Sequence, residues 1–145
     1  MTPREYLEGV CEPNFEDFVR EPTSIRKAWA SATSLFHFID CLAIHRGQDP
    51  AKIKGEMALQ FPALSVLADV ANASKHFELN RGVRTGLSAN HFRVGTGAAF
   101  TDGSYLSDGT SFSDIPDVIR VEFQGSQIDV LHLCGEAIAV LRTKD

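Results

Sequence analysis

The chain has 145 residues, 43% hydrophobic and 23% charged, the size and balance of one globular domain, which excludes a chain dominated by disorder. Fourteen basic against nineteen acidic residues leave a formal net charge of −5, so no broad DNA-binding surface is expected, while a local cationic pocket stays compatible. Cys11, Cys41 and Cys134 lie far apart without a Cys-x-x-Cys pair, against a disulfide framework or a thiolate zinc site.

The opening residues Met1 to Glu8 contain no apolar run of the secretory kind, and no stretch approaches the ~18 apolar residues of a membrane span. A cytoplasmic protein without membrane contact is therefore expected. Residues 1–22 carry Pro3, Pro13 and Pro22, with a short helix predicted over Asn14–Arg20 that places Phe15, Phe18 and Val19 on one side. Pro22 stops it, and Thr23 or Ser24 is suited to cap the next helix.

From Ser24 to about His45, Ile25, Trp29, Ala32, Phe36, Ile39 and Ala43 recur at steps of three and four. Leu35, Phe38 and Leu42 widen that apolar face, which predicts a central helix rather than a surface one. Gly47 ends it, and Asp49-Pro50 pairs a capping residue with a proline at the first position of a helix running to about Leu59. A third helix is predicted over residues 63–79, with Asn80 and Gly82 placed to leave it.

Between Gly82 and Gly125 the chain turns glycine-rich. Asp102-Gly103 and Asp108-Gly109 suggest tight β-turns. Val118–Phe123 is the clearest strand, with weaker strands around Phe92–Val94, Ala98–Thr101 and Tyr105–Ser113. A last helix, apolar almost all round, is expected from Gln127 to Arg142. The fold class is thus mainly α, a single domain: a helical bundle (about 14–80 and 127–142) with a small antiparallel β insertion (about 82–125) before the last helix.

The sharpest chemical feature lies on the third predicted helix. Ser65, Asp69, Asn72 and His76 are spaced by four, three and four, so at ~100° per residue they share a narrow stripe. Val66, Val70, Ala73 and Phe77 flank it on one side, and Leu64, Ala68 and Leu79 on the other. A polar line between apolar shoulders faces either a cleft or a partner helix. In a cleft, His76 is suited to general acid/base work, Asp69 and Asn72 to positioning, and Lys75 to an anion at the stripe's edge. Against a helix, the same groups form a hydrogen-bonded packing network.

Arg26, Thr33, His37 and Asp40 make a second stripe on the preceding long helix. Antiparallel packing of the two helices would bring His37 and Asp40 toward Asp69 and His76, which raises a metal site to which Asp129, His132 and Glu136 could add. The spacings match neither a di-iron Glu-x-x-His bundle nor His-Glu-x-x-His. His45 and Arg46 suit a helix C-terminus. Arg81, Arg84 and Arg93 with His91 form a modest basic cluster, and the glycines match neither a P-loop nor a dinucleotide fingerprint.

Asp69-Val-Ala-Asn72-Ala-Ser-Lys75-His76 resembles the motif helix of the HEPN superfamily, and the order of helices, turn and long apolar closing helix is similar to it as well. The resemblance spans about residues 23–80 and 127–142. It implies a helical bundle, often homodimeric, and in many members a metal-independent endoribonuclease of phage defence. The family signature places an arginine, then four to six residues, then the histidine. The corresponding positions here are Asp69, Val70 and Ala71, so Lys75, Arg81 or Arg26 would have to supply the cation.

Three functions follow as expectations. The first is a HEPN-like homodimer that handles RNA in phage defence or stress response, acting without cofactor and, where catalytic, through His76, Asn72, Asp69 and Lys75. The second is a non-catalytic interaction protein of the same fold. The third is a metal-dependent hydrolase built on His37, Asp40, Asp69 and His76.

Overall fold

The computed structural model describes residues 1–76, 78–82, 84–95 and 117–144. In chain order it forms α1 (Pro3–Tyr6), a wider π-helical turn (Leu7–Cys11), α2 (Glu12–Arg20), α3 (Ile25–Arg46), α4 (Pro50–Gln60) and α5 (Leu64–His76). Strands β1 (Phe92–Gly95), β2 (Val118–Phe123) and β3 (Ser126–Asp129) and helix α6 (Val130–Leu141) follow. The mainly α reading with a small antiparallel sheet before the last helix therefore holds. The expected strands at Ala98–Thr101 and Tyr105–Ser113 and the two Asp-Gly turns lie outside the described residues.

α3 is the axis of the bundle and packs against every other helix. Ala28, Ser31, Ala32, Ser34, Leu35, Phe38, Ile39, Leu42 and Ala43 are all buried, and the small residues among them let neighbouring backbones come close. Ser34 Oγ donates back to the Ser31 carbonyl at 2.9 Å, so its hydroxyl is satisfied within the helix. The helix ends at Gly47, whose φ of +59° supplies the left-handed cap that other residues adopt at a cost. Asp49 then accepts from the Ala51 N–H at 2.8 Å, with Pro50 at the first position of α4.

Three elements differ from the sequence-based expectation. The helix predicted over 63–79 ends at His76, so that Glu78 and Leu79 pair with Ser88 and Leu87 in the returning chain. The N-terminal helix begins at Pro3 rather than Asn14, because Thr2 and Glu5 form a reciprocal capping box with Pro3 between them. The segment Gln127–Asp129 is strand rather than helix. Gln124 and Gly125 both have positive φ, 51° and 78°, and close a two-residue turn that pairs Phe123 with Ser126. Ile128 consequently sits opposite Val121 in the sheet, and Asp129 becomes the N-cap of α6 by accepting from the His132 N–H at 3.0 Å.

The sheet has the order β1-β2-β3, antiparallel throughout, with Phe92 opposite Val121 and Arg120 opposite Asp129. It is held to the bundle at several points. Trp29 of α3 meets Phe92 edge-on at 5.6 Å between ring centroids. The Ile119 N–H donates to the Pro22 carbonyl at 2.9 Å, and β2 packs on α6. No helix of the described residues is long and apolar enough to cross a membrane.

Leu35 is fully buried at the centre of this arrangement. Leu35→Ala should cost about 2–5 kcal/mol of unfolding free energy, read from the denaturant midpoint. Burial also pushes the Cys11 and Cys134 thiols up from 9.0 to about 12. Above pH 9 the unfolded chain gives up these protons while the folded chain keeps them, so stability falls as pH rises from 9 toward about 12. A Cys11→Ala/Cys134→Ala variant should show a shallower loss of stability across that window in urea titrations.

Candidate functional site

α5 gives one face to the core and keeps the other for the site. Leu64, Leu67, Val70, Ala71 and Ala73 are buried, and Thr33 of α3 shares a hydrogen bond with Ser74 at 3.4 Å. Further along α3, Phe36 lines a groove with Leu64, Ser65 and Ala68, so the two helices run antiparallel. The stripe of Asp69, Asn72 and His76 turns away from α3 and opens on a groove of about 520 Å³. Its opposite wall is the segment that follows the helix: Glu78, Leu79, Asn80 and Arg81.

That segment is folded back by its own physics. Leu79 and Leu87 are buried and paired, with the Leu79 N–H donating to the Leu87 carbonyl at 2.8 Å and the Gly86 N–H to the Leu79 carbonyl at 2.6 Å. Gly82 and Gly86 both have φ of +90°, a conformation that side-chain-bearing residues rarely adopt. The turn places Arg84 back over α5, where its Nη1 donates to Asp69 Oδ2 at 2.7 Å. Both partners are largely shielded, with side-chain exposures of 22% and 18%. A bridge between Glu78 and Ser88 closes the base of the loop.

The predicted residues thus divide. His76 and Asn72 line the groove, His76 exposed and Asn72 half-buried. Asp69 lines it too, but its carboxylate is committed to Arg84, which makes it a clamp for the loop. Lys75 is exposed in the last turn of α5 and is not among the groove's lining residues. Ser65, the stripe's first member, belongs to the neighbouring groove beside Phe36.

The second stripe does not join the first. Among the described residues no three His, Cys, Asp or Glu side chains come together to hold a metal ion, so His37, Asp40, Asp69 and His76 form no shared site. The reason is rotational: α5 presents the face bearing Ser74 to α3, not the face bearing His76. Asp129, named as a further ligand, caps α6, and His132 pairs with exposed Glu136 at 3.4 Å on the same helix.

The basic cluster also separates. Arg84 serves Asp69, and Arg93 donates to the Phe92 carbonyl at 3.2 Å. His91 Nδ1 accepts from the Ser88 N–H at 3.0 Å and its ring meets Phe123 edge-on at 5.0 Å. Arg81 alone of the cluster lines the groove with His76. The role of Arg84 is what the sequence reading missed. The glycines at 82 and 86 signalled a chain reversal, but no spacing rule links Asp69 to a partner fifteen residues on.

Comparison with protein-family models, with curated proteins and with solved structures gives no significant match.

The Asp69–Arg84 pair offers a direct test of the clamp. A double-mutant cycle with Asp69→Asn and Arg84→Gln should give a coupling energy of about 1 kcal/mol by chemical denaturation. Either substitution should also make residues 78–87 cleave faster under limited proteolysis, with the bundle intact by far-UV circular dichroism.

Proposed function

We propose that the chain is a HEPN-like RNA-handling protein that cleaves single-stranded RNA without a metal, in phage defence or a stress response. The observation that carries this reading is one groove lined by an exposed imidazole, an amide and a guanidinium: His76, Asn72 and Arg81. The groove is open, as a catalytic histidine requires, rather than sealed as a packing network would be. Arg81 supplies from the loop the cation that the HEPN signature carries on the helix.

RNA brings its own nucleophile, which is why this set of groups suffices. Neutral His76 takes the proton of a ribose 2′-hydroxyl as that oxygen bonds to the adjacent phosphorus. The bond from phosphorus to the 5′ oxygen then breaks, the leaving oxygen takes a proton from water, and the hydroxide left takes the proton held on His76. The products are a cyclic phosphate and a free 5′-hydroxyl. Arg81 offsets the charge that builds on the phosphoryl oxygens, and the Asn72 amide donates to the same phosphate or its ribose. Asp69 acts at one remove, by fixing the loop through Arg84. On the same reading the protein is a homodimer, with twice its 15.9 kDa mass in light scattering.

Purified protein incubated with a mixed single-stranded RNA pool should release fragments ending in cyclic phosphate, equally with and without EDTA. His76→Ala should lower kcat by about 10²–10⁴-fold. Arg81→Ala should lower it by about 10²–10³-fold, with Arg81→Lys restoring only part of the loss because a lysine cannot bind a phosphate in the bidentate way a guanidinium can. EDTA-sensitive cleavage would overturn the metal-free mechanism. A folded protein that neither binds nor cuts any RNA would leave the stripe to a non-catalytic interaction role.

A further inference from the structure

A second groove opens on the same outer face of α5, one to two turns before the first. It measures about 350 Å³ and is predominantly apolar, with Phe36 on one wall and Pro62, Leu64 and Ala68 beneath. Ser65 and, from α4, Lys54, Gly55 and Ala58 complete it, and none of its lining residues is a carboxylate. The Lys54 ammonium sits 5.0 Å from the centre of the Phe36 ring. On the helix surface Ser65, Ala68, Asp69, Asn72 and His76 fall within an arc of about 100°. The stripe that begins in the apolar groove therefore ends in the catalytic one. The helix rise separates the two centres by about 11 Å, a short reach for an extended strand.

Chemistry differs sharply between the two ends. One offers an imidazole and a guanidinium to a phosphate. The other offers an apolar groove, an aromatic ring and one cation, the combination that accepts a nucleobase beside its charged backbone. We propose that this second groove is a base-binding subsite for the RNA whose cleavage was proposed above. A base flanking the scissile phosphate rests against Phe36, and Lys54 moves off the ring to meet the adjoining phosphate. Cleavage would then favour strands long enough to occupy both grooves, which makes Phe36 and Lys54 determinants of affinity rather than catalytic residues.

The test uses the full-length His76→Ala protein, so that RNA is bound but not cut, and fluorescein-labelled single-stranded di- and hexanucleotides read by anisotropy. The hexanucleotide should bind about tenfold more tightly than its extra phosphates alone provide, the scale of one stacked base. Phe36→Leu should remove that gain and leave the dinucleotide unchanged, and Lys54→Gln should weaken it while lowering the salt dependence. With His76 intact, Phe36→Leu should raise KM for the hexanucleotide with kcat retained. Should Phe36→Leu destabilise the bundle in thermal melts, Lys54→Gln decides alone. A length-dependent gain that survives Lys54→Gln, or a loss equal for both lengths, overturns the subsite while leaving RNA cleavage standing. A wild-type protein that neither binds nor cuts RNA overturns both.

Discussion

Burying α3 on nearly all sides is the constraint from which the rest of this structure follows. A helix of twenty-two residues with Ala28, Ser31, Ala32, Leu35, Phe38, Ile39 and Leu42 all shielded needs partners around most of its circumference. α2, α4, α5 and α6 are those partners. α5 shows the consequence most clearly. Having given Leu64, Leu67, Val70 and Ala71 to the core, it has its polar stripe left on the outside. The site exists because the core is satisfied without it.

What turns an exposed stripe into a groove is the chain immediately after it. Leu79 and Leu87 are two apolar anchors that the loop must bury, and the positive φ values at Gly82 and Gly86 let it reverse tightly enough to do so. The reversal sets one wall of the groove and brings Arg84 onto Asp69. The groove is therefore half helix and half loop. Its helical side is fixed by packing against α3, while its loop side is held by two leucines, a few backbone hydrogen bonds and one ion pair. Positioning of Arg81 thus depends on contacts far weaker than those that position His76.

Where the sequence was legible, one local rule sufficed. The 3.6-residue spacing over residues 25–46 announced α3, Gly47 and Asp49-Pro50 announced its end and the next start, and alternation marked Val118–Phe123 as a strand. Two errors came from signals that were present but outweighed. Thr2-Pro3-Arg4-Glu5 is a capping box, hidden by the density of prolines around it. Gln127–Asp129 has an apolar helix directly behind it, and a Gln-Gly turn is a weaker hairpin signal than Asn-Gly. For the site, one helix period placed Asp69, Asn72 and His76 together. The partner of Asp69 and the separation of His37 from His76 depended on helix rotation and loop path, which no pattern of spacing encodes.

Electrostatics explain why Arg84 matters to a groove it only borders. The C-terminal end of a helix carries partial negative charge, and His76 lies in the last turn of α5, the opposite of the helix end that ordinarily receives phosphate. Glu78 adds a full negative charge on the facing wall, and Asp69 would add another. With both carboxylates uncompensated, Arg81 could do no more than offset one of them. Arg84 neutralises Asp69 at 2.7 Å, leaving Arg81 against Glu78 and the helix dipole. The two halves of the ion pair are consequently unequal. Losing Asp69 loosens the loop, whereas losing Arg84 loosens it and also leaves the Asp69 carboxylate uncompensated beside the groove. In a chain with a net charge of −5, that local cancellation is what the proposed anionic substrate would require at this end of α5.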